Sequence, residues 1–476
     1  RIFIFIILSQ NFNKFLSYSK QHRYLYDVIR SNHHICGLRR NFNLHDVDTS
    51  NLNSKSSISD DSSPRRSSST RRLRMIADAK KVSAELESLE TKNVTQPIKV
   101  MNHWITRTGE STSSQSPLNN SISIVTYNIL GPLHGEGEKH KYAPVAVTKW
   151  TRRRDKVVEH LRAINADIFC LQEVSKKSLT ETFVPGLRRV EMDCCGFAAS
   201  TRKEAATATA ARGSYGHRQI GCAVFYKPSK MVLKASKRVH IKDFIPLDAL
   251  SCRSHEFYVD VHSRYNSMVM VLLTSKETNS SFVVANTHLY WNPEREDIKV
   301  AQTLGLTEAL SVFCEELGFT KEGGFPPVVL CGDFNSLPRM SMDHKGSHVS
   351  GVFEFLQLGS LNSSHPQHPD SWFPIVNPSS GRPQLGTLKS QWTFENAYYI
   401  DDFENQKPQF TTKTDDFEGW IDHIWVNDQI HVEMVMSTPV QVNDFVSNIG
   451  RKAFDPMPNK NYPSDHIPLG IVFKIK

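Results

Sequence analysis

Apolar residues along the chain follow two patterns, short continuous runs and runs with helical spacing. The short runs predict buried strands at 121–130 (SISIVTYNIL), 166–174 (ADIFCLQEV), 221–227 (GCAVFYK), 268–275 (MVMVLLTS), 281–289 (SFVVANTHL), 328–336 (VVLCGDFNS), 419–427 (GWIDHIWVN) and 467–475 (IPLGIVFKI). The helical spacing predicts helices at Trp150–Ala163, Val300–Leu317 and Val352–Leu358. Strands outnumber helices, and both hairpins and crossovers occur. The pattern therefore predicts an α/β fold with four layers, in which two mixed, mainly antiparallel sheets face each other and helices lie outside.

The pattern changes at residue 121. Residues 1–120 are basic and rich in Ser and Asn, which predicts a largely disordered region with one short helix at Met75–Lys92. Residues 121–476 are predicted to form the folded domain. Within it, the segment Cys194–Arg218 follows neither period, so we expect a loop insertion there.

The first residues, RIFIFIILSQ, contain an apolar run at Ile2–Leu8. This run is far shorter than the roughly 18 residues that cross a bilayer, so we expect a leader or an artefact rather than a membrane anchor. The Arg-rich stretch that follows fits a mitochondrial transit segment loosely, and a solvated basic tail is the alternative.

Composition narrows the classes of partner only slightly. Charged residues make up 22% of the chain and hydrophobic residues 39%, which is ordinary for a soluble protein. The net charge of +8 permits a polyanionic partner such as nucleic acid without requiring one. The eight cysteines include no CxxC pair, so a zinc cluster is not expected. Cys170, Cys222 and Cys331 lie in apolar runs and are predicted to be buried thiols, whereas the pair Cys194-Cys195 is predicted to lie in a loop.

Polar groups that can bind a metal ion or carry a proton end five of the predicted strands and precede the last one. They are Asn128, Glu173, His288, Asp333 with Asn335, and Asp422, followed by Ser464-Asp465-His466. If these strand ends converge, they form a cluster of carboxylates, amides and imidazoles. Asp333 and Asn335 are two positions apart, so on a strand they would face the same side.

Such a cluster has a recognisable chemistry. Oxygen-rich sites suit hard divalent cations, especially Mg²⁺ or Mn²⁺. An ion of this kind stabilises charge on a phosphoryl oxygen and helps to form an attacking hydroxide. An imidazole held by a carboxylate can serve as the general base, because the carboxylate selects its tautomer and supports its charge. The strand ends therefore predict metal-assisted hydrolysis of a phosphate ester.

Six motifs occur in an order that resembles a known superfamily. The motifs YNIL, LQEV, NTHLYWNP, CGDFNSLP, IDHIWV and YPSDHIPL, spread over residues 121–476, resemble those of the endonuclease/exonuclease/phosphatase superfamily. The resemblance implies a DNase I-like fold and makes 121–476 the catalytic domain. The stretch NTHLYWNPEREDIKVAQ is similar to the group of carbon-catabolite-repressor-type deadenylases, nocturnin-like enzymes, Angel proteins and 2′,5′-phosphodiesterases. FTTKTDDFEGWIDHIWV (410–426) is similar to the deadenylase branch in particular.

The resemblance also implies a role for each polar strand end. Asn128 and Glu173 would hold Mg²⁺, with Mn²⁺ as an alternative ion, and Asp465 would lie beside the metal.

Four further groups would serve the reaction itself. Asp333 would activate the attacking water and Asn335 would bind the phosphate, which His288 would also contact. Asp422 would orient His466, the general base.

Other positions would contact the substrate or only pack. Pro293 and Phe417 would sandwich the 3′-terminal base, since a ring and an apolar wall stack on any base. The pattern IDYI of the deadenylases reads here as Ile421-Asp422-His423-Ile424, and we expect His423 to pack rather than to act in catalysis. Trp291 is expected in the core. The leucine-rich repeats through which some deadenylases dock a scaffold are not seen in this sequence.

The leading hypothesis is a Mg²⁺-dependent 3′-to-5′ exoribonuclease that shortens poly(A) and releases 5′-AMP. Its expected partners are RNA with a 3′ poly(A) tail and subunits of an mRNA-decay complex, with no membrane. The expected location is the cytoplasm or nucleus, with mitochondria as the alternative. Two other hypotheses are a phosphodiesterase for 2′,5′-oligoadenylate or a dinucleotide, and a non-catalytic RNA-binding or scaffold protein on the same fold. The presence of Glu173, Asp333, Asn335, Asp422 and His466 together argues against the last hypothesis.

Overall fold

Two large β-sheets stack face to face, and helices cover the outer side of each of them. The computed structural model describes residues 104–106, 111–112, 120–200, 219–245, 256–320, 323–342, 346–371, 386–399, 407–438 and 455–476. All of these belong to one unit that spans Gln96–Lys476. The helix expected at Met75–Lys92 and residues 201–218 of the expected insertion lie outside the described residues.

The first sheet has eight strands. In spatial order they are β2 (Ser111–Thr112), β1 (Trp104–Thr106), β19 (Ile430–Met436), β20 (Leu469–Ile475), β3 (Ile122–Asn128), β4 (Ile168–Ser175), β6 (Ile220–Tyr226) and β5 (Asp193–Ala199). β3 and β4 run parallel, and the other neighbouring strands are antiparallel. Every residue of β3 is buried, as expected for a strand that is covered on both faces.

The second sheet has six strands. In spatial order they are β15 (Glu395–Asn396), β18 (Asp422–Val426), β10 (Val328–Asp333), β9 (Ser281–His288), β8 (Ser267–Ser275) and β7 (Met231–His240). Here β9 and β10 are parallel and the other neighbours antiparallel. Each sheet thus contains one parallel pair, which confirms the predicted mixed and mainly antiparallel arrangement.

Apolar side chains from both sheets fill the space between them. Ile124 and Cys170 of the first sheet belong to the same buried cluster as Val271 and Cys331 of the second sheet. Full burial of a side chain such as Val271 contributes roughly 1.5–3 kcal/mol to folding. The predicted burial of the thiols of Cys170, Cys222 and Cys331 is confirmed, and all three are free cysteines.

Helices form the outer two layers. Helix α3 (Trp150–Ile164) packs Val157 and Leu161 against the first sheet. Helices α7 (Glu296–Glu316) and α8 (Gly351–Leu358) pack on the outer face of the second sheet. The predicted four-layer sandwich is therefore confirmed.

Shorter elements connect these layers. They are the helices α1 (Pro132–Gly135), α2 (Val145–Thr148), α4 (Lys176–Ser178), α5 (Val184–Arg188) and α6 (Glu256–His262), 3₁₀ turns at Glu138–His140 and Ile241–Phe244, and a π-helical turn at Leu179–Phe183. Two-stranded ribbons are formed by β11 (Arg339–Met342) with β12 (Gly346–Val349), β13 (Ser360–Leu361) with β14 (Leu388–Lys389), and β16 (Thr412–Lys413) with β17 (Glu418–Gly419). Across the described ranges, every helix is too short or too polar to cross a bilayer.

The expected loop at Cys194–Arg218 is wrong at its start. Residues up to Ala199 form β5, which pairs with β6 along the edge of the first sheet. The adjacent cysteines Cys194 and Cys195 therefore lie in a strand. A register shift between Cys194 and Gly196 explains the error, because a bulge interrupts the alternation on which strand prediction depends.

The first sheet also begins earlier than the predicted domain start at residue 121. β1 pairs antiparallel with β19, placing Trp104 opposite Met436. Trp104 is 2% exposed and packs in the cluster beneath α3. This part of the predicted disordered region therefore belongs to the folded sheet.

Candidate active site

Asp333 lies at the end of the central strand pair of the second sheet. It is the last residue of β10, and its register partners are His288 on β9 and Asp422 on β18. Asp333 and Asp422 are each 1% exposed. Three of the predicted site residues thus occupy neighbouring positions at one edge of this sheet.

The first sheet brings two more predicted residues to the same place. Asn128 ends β3, and Glu173 lies near the end of the adjacent strand β4. The side-chain amide of Asn128 donates to Asp333 Oδ2 at 2.9 Å, and its nitrogen lies 3.4 Å from Glu173 Oε1. Side chains separated by about two hundred positions therefore meet where the two sheets end, as predicted.

Backbone geometry at these strand ends is unusual. Glu173 has a φ of 60° and Asn335 a φ of 50°, a region that costs non-glycine residues about 1–3 kcal/mol and that recurs at active sites. Gly332 has a φ of 146°, and a Cβ there would lie 2.0 Å from Thr287 O. Glycine at 332 therefore lets β10 approach β9 just before Asp333.

Asp333 and Asn335 do not share one face of a strand, contrary to the expectation. β10 ends at Asp333, and Asn335 lies in the following turn. The backbone N–H of Asn335 donates to Asp333 Oδ1 at 2.9 Å, and its side-chain amide donates to Leu289 O at 3.1 Å. The turn, rather than the strand pleat, brings the amide next to the carboxylate.

A buried imidazole faces Asp333 from the segment before β20. His466 Nδ1 lies 2.7 Å from Asp422 Oδ2, and its Nε2 lies 3.8 Å from Asp333 Oδ2. The side chains of His466 and Asp422 are 8% and 1% exposed. Asp422 therefore holds one ring nitrogen and directs the other towards Asp333, the arrangement expected of a general base.

Burial and charge act in opposite directions on this pair. Burial raises the pKa of Asp422 to about 6, with the charge of Asp333 adding to the rise and that of His466 opposing it. Burial alone would lower the pKa of His466. The charge and the hydrogen bond of Asp422 outweigh it and raise the pKa of His466 well above its ordinary value. His466 thus has a strong affinity for a proton.

Asp465 is held by a second histidine. His140 Nε2 lies 3.1 Å from Asp465 Oδ2, and its Nδ1 lies 3.2 Å from His134 O. Burial alone would raise the pKa of Asp465, but the His140 hydrogen bond and the charges of His466 and His140 lower it below its ordinary value. The loop after β3 is thereby tied to the segment that carries His466.

Glu173 also has an imidazole partner. Its Oε2 accepts from Gly131 N at 2.6 Å and lies 2.7 Å from His134 Nδ1. Burial opposes the charge of Glu173, yet the charge and hydrogen bond of His134, the charge of His288 and the Gly131 N–H together hold the pKa of this carboxyl well below its usual range. Glu173 is therefore ionised and negative at neutral pH.

His288 completes the group. Its Nε2 lies 3.5 Å from Asp333 Oδ2, and its side chain is 19% exposed. A partly exposed imidazole beside the central carboxylate can reach a bound phosphate, as the resemblance implied.

The two residues expected to hold a base are exposed at the rim. Pro293 is exposed, and Phe417 is 42% exposed on the ribbon β16–β17. This ribbon is anchored to the site, because Thr412 Oγ1 donates to Asp465 O at 2.9 Å. A Cβ at Gly419 would lie 2.6 Å from the Phe417 ring, so this glycine makes room for the ring. Exposure suits a stacking platform, and the sandwich itself stays a prediction.

The expectation that Trp291 lies in the core is wrong, because Trp291 is 57% exposed. The apolar run of β9 ends at His288, so Trp291 lies in the loop beyond the sheet. The burial of side chains along β9 therefore does not extend to Trp291.

A metal ion has suitable donors here. Among the described residues, Asp333, Asp422 and His466 each offer one ligand atom within 4.8 Å of the others. This trio differs from the predicted set of Asn128, Glu173 and Asp465.

The carboxylates of the predicted set also fit a hard divalent cation, because such cations prefer the oxygens that Glu173 and Asp465 offer. Asn128 turns its side-chain nitrogen towards Glu173 and Asp333, and its Oδ1 accepts from Leu130 N at 3.0 Å. The side chains of Glu173 and Asp465 are 12% and 14% exposed, so both can be reached from solvent. The charge of Glu173 raises the pKa of Asp465, which indicates that the two carboxylates are close enough to repel each other. A bound cation would relieve that repulsion.

The model of the endonuclease/exonuclease/phosphatase family matches residues 125–466, which include the whole second sheet, the central strands β3 and β4 of the first sheet apart from the start of β3, and every catalytic or metal-binding candidate. The chain belongs to this family. The predicted resemblance is thereby confirmed.

Individual relatives within the family are distant. The CCR4-Not complex 3′-5′-exoribonuclease subunit Ccr4 of Schizosaccharomyces pombe is 26% identical over 396 residues, which cover 78% of this chain and 52% of the relative. Carbon catabolite repressor protein 4 homolog 4 of Arabidopsis thaliana is 24% identical over 375 residues, which cover 74% of this chain and 77% of the relative. The chain spans about half the length of the Schizosaccharomyces pombe protein.

A solved structure shows the same fold. The crystal structure of ANGEL2, described as a 2′,3′-cyclic phosphatase, in complex with adenosine-2′,3′-vanadate, matches with a TM-score of 0.55 and 22% identity. The match covers 79% of this chain and 99% of the ANGEL2 chain. This likeness supports the family's two-sheet sandwich.

His423, where the deadenylase pattern of the family has Tyr, packs in an aromatic cluster as expected. It is fully buried, its ring centroid lies 4.6 Å from that of Phe353, and its Nε2 lies 2.9 Å from Ser336 O. Burial lowers the pKa of His423 to about 3, so the ring is neutral. Asp422 is therefore left free to hold His466.

Sequence reasoning missed Arg153, which holds the site's backbone together. The guanidinium of this buried arginine donates to the carbonyl oxygens of Thr148, Ile129, Leu130 and Pro463 at 2.8–3.2 Å. It thereby joins the loop after Asn128 to the segment before His466. A signal existed, because Arg153 lies on the same helical face as Trp150 and Val157, which points into the core.

Sequence reasoning also missed an ion pair beneath the Asn335 turn. Lys299, which is 0% exposed, donates to Glu296 Oε1 and to Asn335 O. Glu296 Oε2 accepts from Ser336 Oγ at 3.1 Å. The pair supports the turn from helix α7, and the position of Lys299 among apolar residues of that helix was the available signal.

Proposed function

We propose that this family member is a Mg²⁺-dependent 3′-to-5′ exoribonuclease that shortens poly(A) and releases 5′-AMP. The observation that carries the proposal is the buried Asp422–His466 pair, whose free nitrogen faces Asp333 at 3.8 Å. The relatives named 3′-5′-exoribonuclease support the choice of RNA and of the direction of cleavage.

His466 is the general base of the proposed reaction. Its Nε2 takes a proton from a water molecule that hydrogen-bonds to Asp333, and the water oxygen attacks phosphorus. The bond from phosphorus to the 3′-oxygen of the preceding nucleotide breaks, and that oxygen takes up a proton from solvent. The products are 5′-AMP and an RNA with a new 3′-hydroxyl. Asp422 keeps Nδ1 of His466 occupied, so that Nε2 receives the proton.

Asn335 and His288 position the phosphate. One N–H of the Asn335 amide donates to Leu289 O, and the second would donate to a phosphate oxygen. His288 Nε2, beside Asp333, would donate to another. These donors are fixed before substrate binds, which lowers the cost of organising the charge that develops during attack.

Glu173, Asn128 and Asp465 would hold the divalent ion, Mg²⁺ or alternatively Mn²⁺. When bound there, the ion would neutralise charge on the phosphate and favour attack by water. Glu173 is ionised and partly exposed, as a ligand should be.

The proposed partners are RNA with a 3′ poly(A) tail and subunits of an mRNA-decay complex, since relatives are named as CCR4-Not subunits. The net charge of +8 favours a polyanion. Pro293 and Phe417 would stack on the terminal base. The proposed location is the cytoplasm or nucleus, with mitochondria as the alternative.

A 5′-labelled RNA with a poly(A) tail tests this proposal on a gel that resolves single nucleotides. Purified protein with Mg²⁺ should produce a ladder that shortens from the 3′ end, and a chelator should stop it. The Asp333→Ala variant should lose activity by several orders of magnitude, about 10³-fold or more.

Matched trinucleotides separate the alternatives. Faster hydrolysis of 2′,5′-linked than of 3′,5′-linked triadenylate would replace the deadenylase by a 2′,5′-phosphodiesterase. Binding of poly(A) without any hydrolysis, with Mg²⁺ or Mn²⁺, would leave the non-catalytic hypothesis. Near-full activity of Asp333→Ala would refute the mechanism.

A further inference from the structure

Trp291 presents an indole to solvent at the rim of the active site. It follows His288 by three positions and is 57% exposed. Among the Phe, Tyr and Trp residues in the described part of the chain, the other exposed side chain is that of Phe417, which is 42% exposed. A single exposed apolar side chain is common on protein surfaces. The support beneath this one and the cation above it distinguish Trp291.

The backbone immediately before Trp291 is anchored at two successive residues. Leu289 N donates to Asp333 O at 2.9 Å, and Tyr290 N donates to Gln302 Oε1 at 2.8 Å. The buried Tyr290 ring lies 4.2 Å below the guanidinium of Arg264. The indole is therefore displayed from a fixed base rather than from a loose loop.

A lysine from the loop that follows β3 of the first sheet lies over the indole. Lys139 Nζ is 4.7 Å from the ring centroid of Trp291. Lys139 belongs to the 3₁₀ turn Glu138–His140, whose His140 bonds Asp465 at 3.1 Å. The indole, which follows β9 of the second sheet, and the ammonium, which follows β3 of the first sheet, thus meet across the mouth of the cleft.

We propose that Trp291 and Lys139 form a second nucleotide subsite, in which the indole stacks on an RNA base and the ammonium binds the neighbouring phosphate. The subsite rests on the proposed exoribonuclease function, and it takes a nucleotide other than the 3′-terminal one. An indole stacks on the face of any base, and a lysine beside it supplies the charge that a phosphate requires. The subsite makes the enzyme prefer a chain over a dinucleotide.

Binding of a 5′-fluorescein oligoadenylate, followed by anisotropy in the slowly cleaving Asp333→Asn background, tests the subsite without turnover. Trp291→Ala should weaken binding about tenfold, and Trp291→Phe should weaken it less, because base–aromatic stacking is retained. Lys139→Gln should weaken binding and reduce the slope of log Kd against log salt by about one. Lys141→Gln is the matched control, since Lys141 is 69% exposed and already pairs with Glu138.

Abasic nucleotides at the second, third or fourth position from the 3′ end identify the stacked base. At one of these positions, removal of the base should weaken binding to the Asp333→Asn protein about as much as Trp291→Ala does. In the protein that also carries Trp291→Ala, removal of the same base should weaken binding no further. The absence of such coupling at all three positions would overturn the subsite.

Two failures are distinguishable. The subsite alone is wrong if wild-type protein shortens poly(A) and the Asp333→Asn protein binds oligoadenylate equally well with and without Trp291→Ala. If wild-type protein neither binds nor shortens RNA, the proposed function fails and the subsite fails with it.

Discussion

Two histidine–carboxylate pairs lie at the two sides of the cleft with the same separation and opposite surroundings. His466 Nδ1 lies 2.7 Å from Asp422, and His134 Nδ1 lies 2.7 Å from Glu173. His466 is 8% exposed, whereas His134 is 51% exposed. A contact distance therefore does not by itself indicate how much a pair contributes.

The difference in burial decides what each pair can do. In the buried pair, water is excluded, so the charge of Asp422 acts at full strength on His466 and holds its ring in one orientation. In the exposed pair, solvent and salt screen the interaction, and such pairs contribute only about 0–1 kcal/mol. We expect the buried pair to serve catalysis and the exposed pair to be dispensable.

Replacing His466 should have the largest effect. His466→Ala removes the group that takes the proton from water, and kcat/KM on poly(A) should fall by about 10²–10⁴-fold. Initial rates with Mg²⁺ at saturating and limiting RNA measure this. His134→Ala is the matched variant, and an equal loss in both would show that burial does not separate the two pairs.

Arg153 links the backbones of the two regions, so its loss should affect the fold rather than one pair. Arg153→Met leaves buried carbonyl oxygens of Ile129, Leu130 and Pro463 without their donor and should lower the free energy of unfolding by about 3–5 kcal/mol. Urea denaturation followed by fluorescence measures it. The neighbouring Arg154, whose side chain is 43% exposed, provides the control Arg154→Met, which should change little. Equal free energies of unfolding for the two variants would contradict the role of Arg153 in holding these backbone segments together.

His160 offers a third environment, burial without a carboxylate. Its ring lies 5.6 Å from that of Tyr127, neither nitrogen has a partner among the described residues, and burial lowers its pKa from 6.5 to about 4. Between pH 6.5 and about pH 4, the unfolded chain therefore binds a proton at His160 that the folded protein does not bind. The free energy of unfolding should fall as the pH falls below 6.5. From there to pH 5 the loss should be about 2 kcal/mol.

The variant His160→Leu isolates this contribution. Its free energy of unfolding should drop less than that of the wild type between pH 7 and pH 5, because leucine takes up no proton. His134→Ala should show a drop at least as large as that of the wild type, because the charge of Glu173 raises the pKa of His134 and protonation of His134 therefore stabilises the fold as pH falls. An unchanged pH dependence in His160→Leu would contradict a neutral buried ring.

Replacing His134 should have the smallest effect. His134→Ala removes an exposed partner of Glu173, while Gly131 N still donates to the same carboxylate. Both kcat and the Mg²⁺ concentration for half-maximal rate should change by less than about threefold. A Mg²⁺ titration of the initial rate measures both, and a tenfold shift in either would show that the exposed pair shapes the site.

Sequence patterns predicted eight of the strands in the two large sheets and missed others, including β7 and β19. β3 and β4 were recognised because their apolar runs are continuous. β5 was taken for a loop because its bulge and small residues disturb alternation. β1 and β2 are short, and they gain their stability from pairing: β1 pairs with β19 and β2 pairs with β1, and no local pattern records these partners.

The site shows a similar division. The polar ends of strands were visible in sequence because a carboxylate after an apolar run is conspicuous, as at Asp333. The partners His134 and His140 were not, because they lie in a polar loop without a period. Trp291 was expected in the core because a large aromatic residue beside a strand is usually buried.

By itself the sequence determined the strands with continuous apolar runs and the polar residues that follow most of them, since burial on a pleated or helical surface leaves a local pattern. Only the tertiary structure decided that Glu173, Asp333 and His466 share one cleft, and that one histidine is buried while another faces water. Those distances arise from the stacking of two sheets, which many weak contacts between remote segments produce together and no short stretch encodes.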